Sequence, residues 1–353
     1  MKLFAFAGVR PNFVKLQALF DANRRRKSTL QAQIEVLQVT QHYDASLSRD
    51  IGASYWQHVV ARLETGQGGE PACLSTAIYQ NAQRWLRGHA SPSDWVVVIG
   101  DAEATLASAL AASNLGLPLC HIEAGMRMPL DFGPEAVIAR ATDCVAALRL
   151  AASQRTFAQL QKERLNGSHF VGDLYLDLVH AWQKTRPSPT PRARRQVVIA
   201  LHHLPNHERY HQLVEGITRA VRRRGMESII VEHPKYRSAE HRSYVQRADR
   251  VVAAVTHAEM LGLVNDARCV VTDSGGLQRE SYYLGRRCLV PSATCWWPEL
   301  VDVGGTVCVG ENLEQLEAGL SWAEDPCRFS AGDGAFGDGM AGTKILDILF
   351  SLR

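Results

Sequence analysis

An α/β fold with two Rossmann-like domains facing each other across a cleft is what the sequence predicts, and three observations carry it. Short continuous apolar runs alternate with longer segments of helical period. That is the pattern of parallel strands covered on both faces and joined by helices. A polar segment over 183–196 holds three prolines and no apolar periodicity, and reads as an interdomain linker. Beyond it the alternation restarts, and 353 residues give room for two domains of roughly 100–200 residues each. The expected division is a first domain over 1–182 and a second over 197–335, with a C-terminal helix over 340–353 packing back on the first.

The elements follow in order. Residues 3–7 read as a buried first strand. A signal peptide is the poorer reading, because the apolar run is short, meets Arg10-Pro11 and Lys15, and offers no small-residue cleavage site. A helix over 13–24 and a strand over 34–39 come next. Residues 95–99 (Trp-Val-Val-Val-Ile) are a buried strand, followed by an Ala/Leu-rich helix over 104–114. Pro118 admits the strand 119–122, since proline suits the first position of a strand. In the second half, strands are expected at 197–201, 228–231, 269–272 and 287–290. Helices are expected at 211–223 and 277–284, with another ending over 260–264. The basic runs Arg24-Arg25-Arg26-Lys27 and Arg222-Arg223-Arg224 read as helix ends, where cations complement the helix dipole.

Composition narrows the partners. A net charge of +3 is too small an excess to argue for nucleic acid, while anionic small molecules fit it. No apolar run reaches the ~18 residues that span a bilayer, so neither membrane nor nucleic acid is expected as a partner, and a cytoplasmic location is. The eight cysteines (Cys73, Cys120, Cys144, Cys269, Cys288, Cys295, Cys308 and Cys327) include no C-x-x-C pair and no zinc spacing. They read as free thiols in a reducing compartment, several as small buried hydrophobes.

Ligands of open α/β sheets bind beyond the carboxyl ends of the strands, so the residues after each strand are the candidates. After the first comes Gly8-Val9-Arg10-Pro11-Asn12-Phe13-Val14-Lys15, either a phosphate-facing loop at a helix N-terminus or a tight turn with solvated charges. Gly100-Asp101 and Glu103 follow the strand 95–99. Glu123 follows the strand 119–122, and Glu135 lies on the next loop. Three converging carboxylates, Asp101, Glu123 and Glu135, could divide acid and base roles; each alone is as readily a turn residue or helix cap. His202-His203 follows the strand 197–201, a general acid/base candidate or a loop cap. Thr272-Asp273-Ser274-Gly275-Gly276-Leu277-Gln278-Arg279-Glu280 runs strand, turn, helix. Its backbone N–H groups could cradle a phosphate, with Glu280 a turn further on for ribose hydroxyls; an ordinary helix start is the plainer reading. No G-x-G-x-x-G and no P-loop occurs, which disfavours NAD and P-loop nucleotides.

In order and spacing these motifs resemble the non-hydrolysing UDP-N-acetylglucosamine 2-epimerases. The matching segments are Gly8 to Lys15, Gln41-His42-Tyr43-Asp44, Gly100-Asp101, His121-Ile122-Glu123-Ala124-Gly125-Met126-Arg127 and Pro134-Glu135. They continue with Val171-Gly172-Asp173, His202, His233-Pro234, Thr272 to Glu280, Trp297-Pro298-Glu299 and Gly337-Asp338-Gly339. Gln41 to Asp44, Val171 to Asp173 and Trp297 to Glu299 look like the branch acting on UDP-2,3-diacetamido-2,3-dideoxyglucuronic acid. The resemblance implies the glycosyltransferase-B architecture, a homodimer, a UDP-sugar substrate, a place in polysaccharide biosynthesis, and no metal or redox cofactor. It implies that Asp101, Glu123 and Glu135 are the acid–base carboxylates and that His202 assists the leaving group. Arg10, Lys15, Arg127 and His233 would lie by the substrate, with Ser274, Gly275, Gly276 and Glu280 on the phosphates and ribose.

The sequence also departs from the family. The usual P-E-E-x-N-R is here Pro134-Glu135-Ala136-Val137-Ile138-Ala139, with Arg140 one place late and the loop after Arg127 about two residues short. The histidine usually followed by R-R-E-N is followed by His203-Leu204-Pro205-Asn206. Losing one charged phosphate contact costs about 1.5–3 kcal/mol. Three functions are therefore weighed: an epimerase with an altered sugar pocket; a hydrolysing relative or a glycosyltransferase; and a non-catalytic nucleotide-sugar-binding protein. Retention of the three carboxylates and His202 speaks for the first.

Overall fold

Continuous apolar strands such as Trp95–Ile99 (Trp-Val-Val-Val-Ile), buried along their whole length, need cover on both faces. In the computed structural model they receive it in two parallel sheets. The structure describes residues 1–39, 57–65, 71–129, 133–186, 195–202, 207–233, 248–253, 255–310, 312–324 and 334–352. The motif Gln41 to Asp44, the stretch His203 to Asn206, Pro234 and most of the expected linker lie outside these residues.

The chain divides into two units, Met1–Leu178 with Gly334–Arg353, and Val179–Asp333. In the first, strands β1 (Lys2–Ala7), β2 (Gln33–Val39), β3 (Val59–Leu63), β4 (Trp95–Ile99), β5 (Leu119–Ala124), β6 (Leu148–Ala151) and β7 (Ser168–Phe170) form a seven-stranded sheet. Its order is β3-β2-β1-β4-β5-β6-β7. In the second, β8 (Gln196–Ala200), β9 (Glu227–Val231), β10 (Arg250–Val252), β11 (Cys269–Thr272), β12 (Arg287–Val290) and β13 (Thr306–Cys308) form a six-stranded sheet in the order β10-β9-β8-β11-β12-β13. All pairings are parallel. Each sheet runs outward one way from its first strand and then resumes on that strand's other side. The switch points are β1/β4 and β8/β11, the positions where such sheets bind ligands.

Each core is built from strand residues and the buried stripe of the covering helices. Phe4, Phe6, Val96 and Val98 pack with Ile78, Leu86 and Ala107 in the first unit, and Ile199 and Val271 with Val214 and Ile217 in the second. The cysteines Cys120, Cys269 and Cys288 sit fully buried in these strands, and burial pushes the Cys269 thiol up to about 12. Two distant glycine motifs meet in the first unit. Gly172 and Gly337 both have positive φ (95° and 88°), and a Cβ on Gly337 would lie 2.8 Å from the Gly172 Cα. Asp173 N–H donates to the Phe336 carbonyl beside them. The helix Ala341–Ser351 then starts on Asp177, whose carboxylate accepts from the Ala341 and Gly342 N–H groups at 2.9 Å each. Among the described residues no helix is long and apolar enough to cross a membrane.

Candidate active site

The first switch point is organised by one amide. The helix Arg10–Arg25 starts as β1 ends, with Pro11 in its first turn, a position where a missing N–H costs nothing. The Asn12 side chain accepts from the Gly8 and Val9 N–H groups at 3.2 Å each and donates to the Ile99 carbonyl at 3.0 Å. It thereby ties the exit of β1 to the exit of β4. Lys15, a turn further on, is 4% exposed. It is ion-paired with Glu123 and lies 5.3 Å from the Tyr175 ring centre. The loop is therefore no tight turn with a solvated lysine.

Glu123 is aimed by a bulge. The β5–β6 register shifts between Ile122 and Ala124, and Glu123 takes φ 68°, a left-handed conformation rare outside glycine. Bulges re-aim side chains at functional sites, and such backbone strain costs of order 1–3 kcal/mol. Two residues on, a Cβ at Gly125 (φ 89°) would fall 2.3 Å from the Thr156 carbonyl oxygen, so only glycine fits there.

Asp101 follows Gly100 at the exit of β4, half-buried. Burial above all, then the charges of Glu123 and Glu135, push its carboxyl up to about 6, against the pull of Lys15 and His121. Glu135 stands in the first turn of the helix Pro134–Val145. Asp101 thus feels both Glu123 and Glu135, and Glu123 is itself paired with the buried Lys15. Of the altered stretch, Ala136, Ile138 and Ala139 are buried and Val137 is exposed. Arg140 donates to the Met128 carbonyl at 3.2 Å.

Arg127, expected beside the substrate, has its guanidinium occupied by protein groups. Nε and Nη2 donate to Glu163 at 2.7 and 2.5 Å, and Nη1 to Asp143 Oδ2 and the Met126 carbonyl at 2.7 Å each. A ligand contact at Arg127 would have to displace these. Asp143 itself is fully buried and was not among the sequence candidates, although His121 in mid-strand signals that some buried polar partner is needed.

The second switch point carries the residues after β8 and β11. The His202 N–H donates to both Asp273 oxygens, at 2.8 and 3.0 Å. The His202 ring is 5.0 Å from that of His233. Thr272 Oγ1 donates to the Ala200 carbonyl at 2.6 Å and accepts from the Ser274 N–H at 3.1 Å. From Ser274 the helix Gly275–Tyr283 departs. Trp296, which sequence reasoning passed over, packs on this turn. Its Nε1 donates to the Asp273 carbonyl at 3.1 Å, and a Cβ on Gly275 would lie 2.9 Å from its ring. Glu280, 4% exposed, is bonded through Oε1 to His257 Nε2 at 2.5 Å, a partner the motif did not foretell. The neighbouring Arg279 lies 4.2 Å from the Trp297 ring centre.

Two parallel α/β sheets, each with its polar residues at a switch point, give an α/β protein of glycosyltransferase-B-like fold. The sequence profile of UDP-N-acetylglucosamine 2-epimerase matches residues 24–350, and the chain belongs to that family. A UDP-N-acetylglucosamine 2-epimerase homolog of Methanococcus maripaludis is 25% identical over the full length of both chains. The UDP-2,3-diacetamido-2,3-dideoxy-D-glucuronate 2-epimerase of Pseudomonas aeruginosa is 26% identical, again over 100% of each. Among solved structures, Methanocaldococcus jannaschii UDP-GlcNAc 2-epimerase in complex with UDP-GlcNAc and UDP superposes with a TM-score of 0.85 at 24% identity, covering 99% of this chain and 100% of that one.

Proposed function

We propose that the chain epimerises C2 of a UDP-2-acetamido sugar, either UDP-N-acetylglucosamine or a 2,3-diacetamido uronic derivative. The observation that carries this reading is Asp101 poised at about 6 between the charges of Glu123, Glu135 and Lys15, with Glu123 paired to Lys15. A carboxyl poised near neutrality both takes and returns a proton. In the proposed reaction one carboxylate removes the C2 proton while the C1–O bond breaks anti to it. The electron pair leaves on UDP and a C1–C2 double bond remains. UDP then re-adds through its oxygen to C1 of this 2-acetamidoglycal, as an acid delivers a proton to the opposite face of C2. The atoms balance without any redox partner.

The first unit supplies the acid–base groups in this reading. The second holds UDP, with the Ser274 hydroxyl and the N–H groups of Gly275 and Gly276 at a helix start for the phosphates and Glu280 for the ribose. His202 and His233 serve the departing diphosphate, Arg10 the sugar-phosphate. A homodimer in the cytoplasm belongs to the same proposal, and light scattering reads the first half of it. Glu280→Ala is expected to weaken UDP binding with the fold intact; unchanged affinity by calorimetry would remove Glu280 from the ribose site.

The deciding experiment is proton NMR of the purified chain in deuterated water with each of the two UDP-sugars in turn. Deuterium at C2 and a new manno anomeric signal are expected for one of them. Free UDP with released sugar would instead mean hydrolysis or transfer, and binding without turnover a non-catalytic protein.

A further inference from the structure

The buried pair behind the carboxylates has no role in the chemistry above. His121 and Asp143 are both fully buried. The ring Nε2 lies 2.9 Å from the Gly100 carbonyl oxygen, which can only accept, so Nε2 carries a proton. The ring Nδ1 lies 2.7 Å from Asp143 Oδ1. The other carboxylate oxygen, Oδ2, accepts from the Gly125 N–H at 3.0 Å and from Arg127 Nη1 at 2.7 Å. Burial alone would raise the Asp143 carboxyl. The hydrogen bonds and charges of His121 and Arg127 outweigh it and hold Asp143 below the usual carboxylate range.

We propose that His121 and Asp143 are positioning residues for the acid–base carboxylates, tying the loop after β4 to the loop after β5 through hydrogen bonds buried beneath both. The pair reaches both strand exits. Through His121 it holds the Gly100 carbonyl, one residue before Asp101. Through Oδ2 it holds the N–H of Gly125, two residues after Glu123. One carboxylate thus fixes the two loops whose side chains must meet a sugar from defined directions. The charge acts too. Asp101 is faced by Glu123 and Glu135, which oppose its ionisation, and by Lys15 and His121, which favour it. Around the pair itself stand Arg127 with its partner Glu163, and Arg149, which donates to the Asp143 backbone carbonyl.

Two measurements test this, and only the second rests on the epimerase reading. The first is amide hydrogen exchange of the whole chain, wild type against Asp143→Ala, read at the Gly125 N–H that Asp143 accepts from. That amide is expected to exchange roughly tenfold faster in the variant while β3 and β7 keep their wild-type protection, and unchanged exchange at Gly125 would overturn the proposal. The second is the pH profile of His121→Gln, which retains an N–H donor and loses the charge. Its kcat is expected to fall roughly a hundredfold, as for a modest misplacement of reacting groups, with KM little changed. The acidic limb of kcat/KM is expected to move to higher pH, because Asp101 has lost a cation that favours its ionised form. A wild-type limb, or a loss confined to KM, would reduce the pair to a structural role. If the wild-type chain turns over neither UDP-sugar, it is the functional reading that fails, and the exchange at Gly125 still decides whether the pair holds that loop.

Discussion

A carboxyl group held near pH 6 inside a folded protein has a stability signature. Asp101 is raised from 3.8 to about 6 by burial and by Glu123, so the folded state binds its proton more tightly than the unfolded chain does. The stabilisation this gives is fully present below pH 4 and is lost as pH rises through 6. Asp101→Asn, which never ionises, is therefore expected to be more stable than the wild type at pH 7, with the gap closing toward pH 4. Thermal melts of the two chains across that range check it; a variant less stable at pH 7 would mean that the ionised carboxylate makes compensating contacts. The same variant is expected to lose C2 proton exchange. Asp101, Glu123 and Glu135 were legible as candidates from the strands before them, although Glu123 lies inside β5 and Glu135 on a helix rather than on a loop. Asp143 was not. It lies 22 residues from His121 on a helix, where an isolated aspartate reads as solvated. Only the tertiary fold brings it under the strand. The +68° φ at Glu123 was equally silent, since nothing in the identity of a glutamate announces a bulge.

Among elements, the long apolar strands were readable because burial on both faces leaves continuous hydrophobic runs. The edge strands were not. β7 is Ser-His-Phe with a half-exposed pattern, and β13 is three residues long; neighbours rather than composition make them strands. The helix expected to end over 260–264 runs from His257 to Asp266, and at its start Thr256 and Glu259 form a capping box that a search for apolar periodicity overlooks. The helix Ala341–Ser351 shows how closely elements pack. A Cβ on Gly342 would lie 2.9 Å from both the Ala18 carbonyl oxygen and the Ala22 Cβ of the helix Arg10–Arg25. These helix atoms cannot move aside as a flexible side chain can. Gly342→Ala is therefore expected to cost about 1–3 kcal/mol, the usual range for overpacking, read as a lowered urea midpoint at unchanged slope. An unshifted midpoint would mean that the two helices slide apart freely.

At the scale of the whole molecule, the two units need not respond alike to a ligand. If UDP is held by the turn at Ser274 and by Glu280, free UDP at a hundred times its dissociation constant stabilises the folded state that binds it by about 2.7 kcal/mol. Hydrogen exchange is expected to show that gain in β8, β11 and the helix Gly275–Tyr283, and to leave the outer strands β3 and β7 nearly unchanged. Uniform protection over both sheets would argue that UDP is gripped by the first unit as well.

The interruption of the first unit by the second orders events during synthesis. All of Val179–Asp333 has been made before the segment that completes Met1–Leu178. While the ribosome builds the second sheet, the first has its strands but lacks the helix that covers Ala18 and Ala22. An apolar strip of the helix Arg10–Arg25 therefore waits uncovered through the translation of some hundred and fifty further residues, and in that interval it is a place for a chaperone to hold.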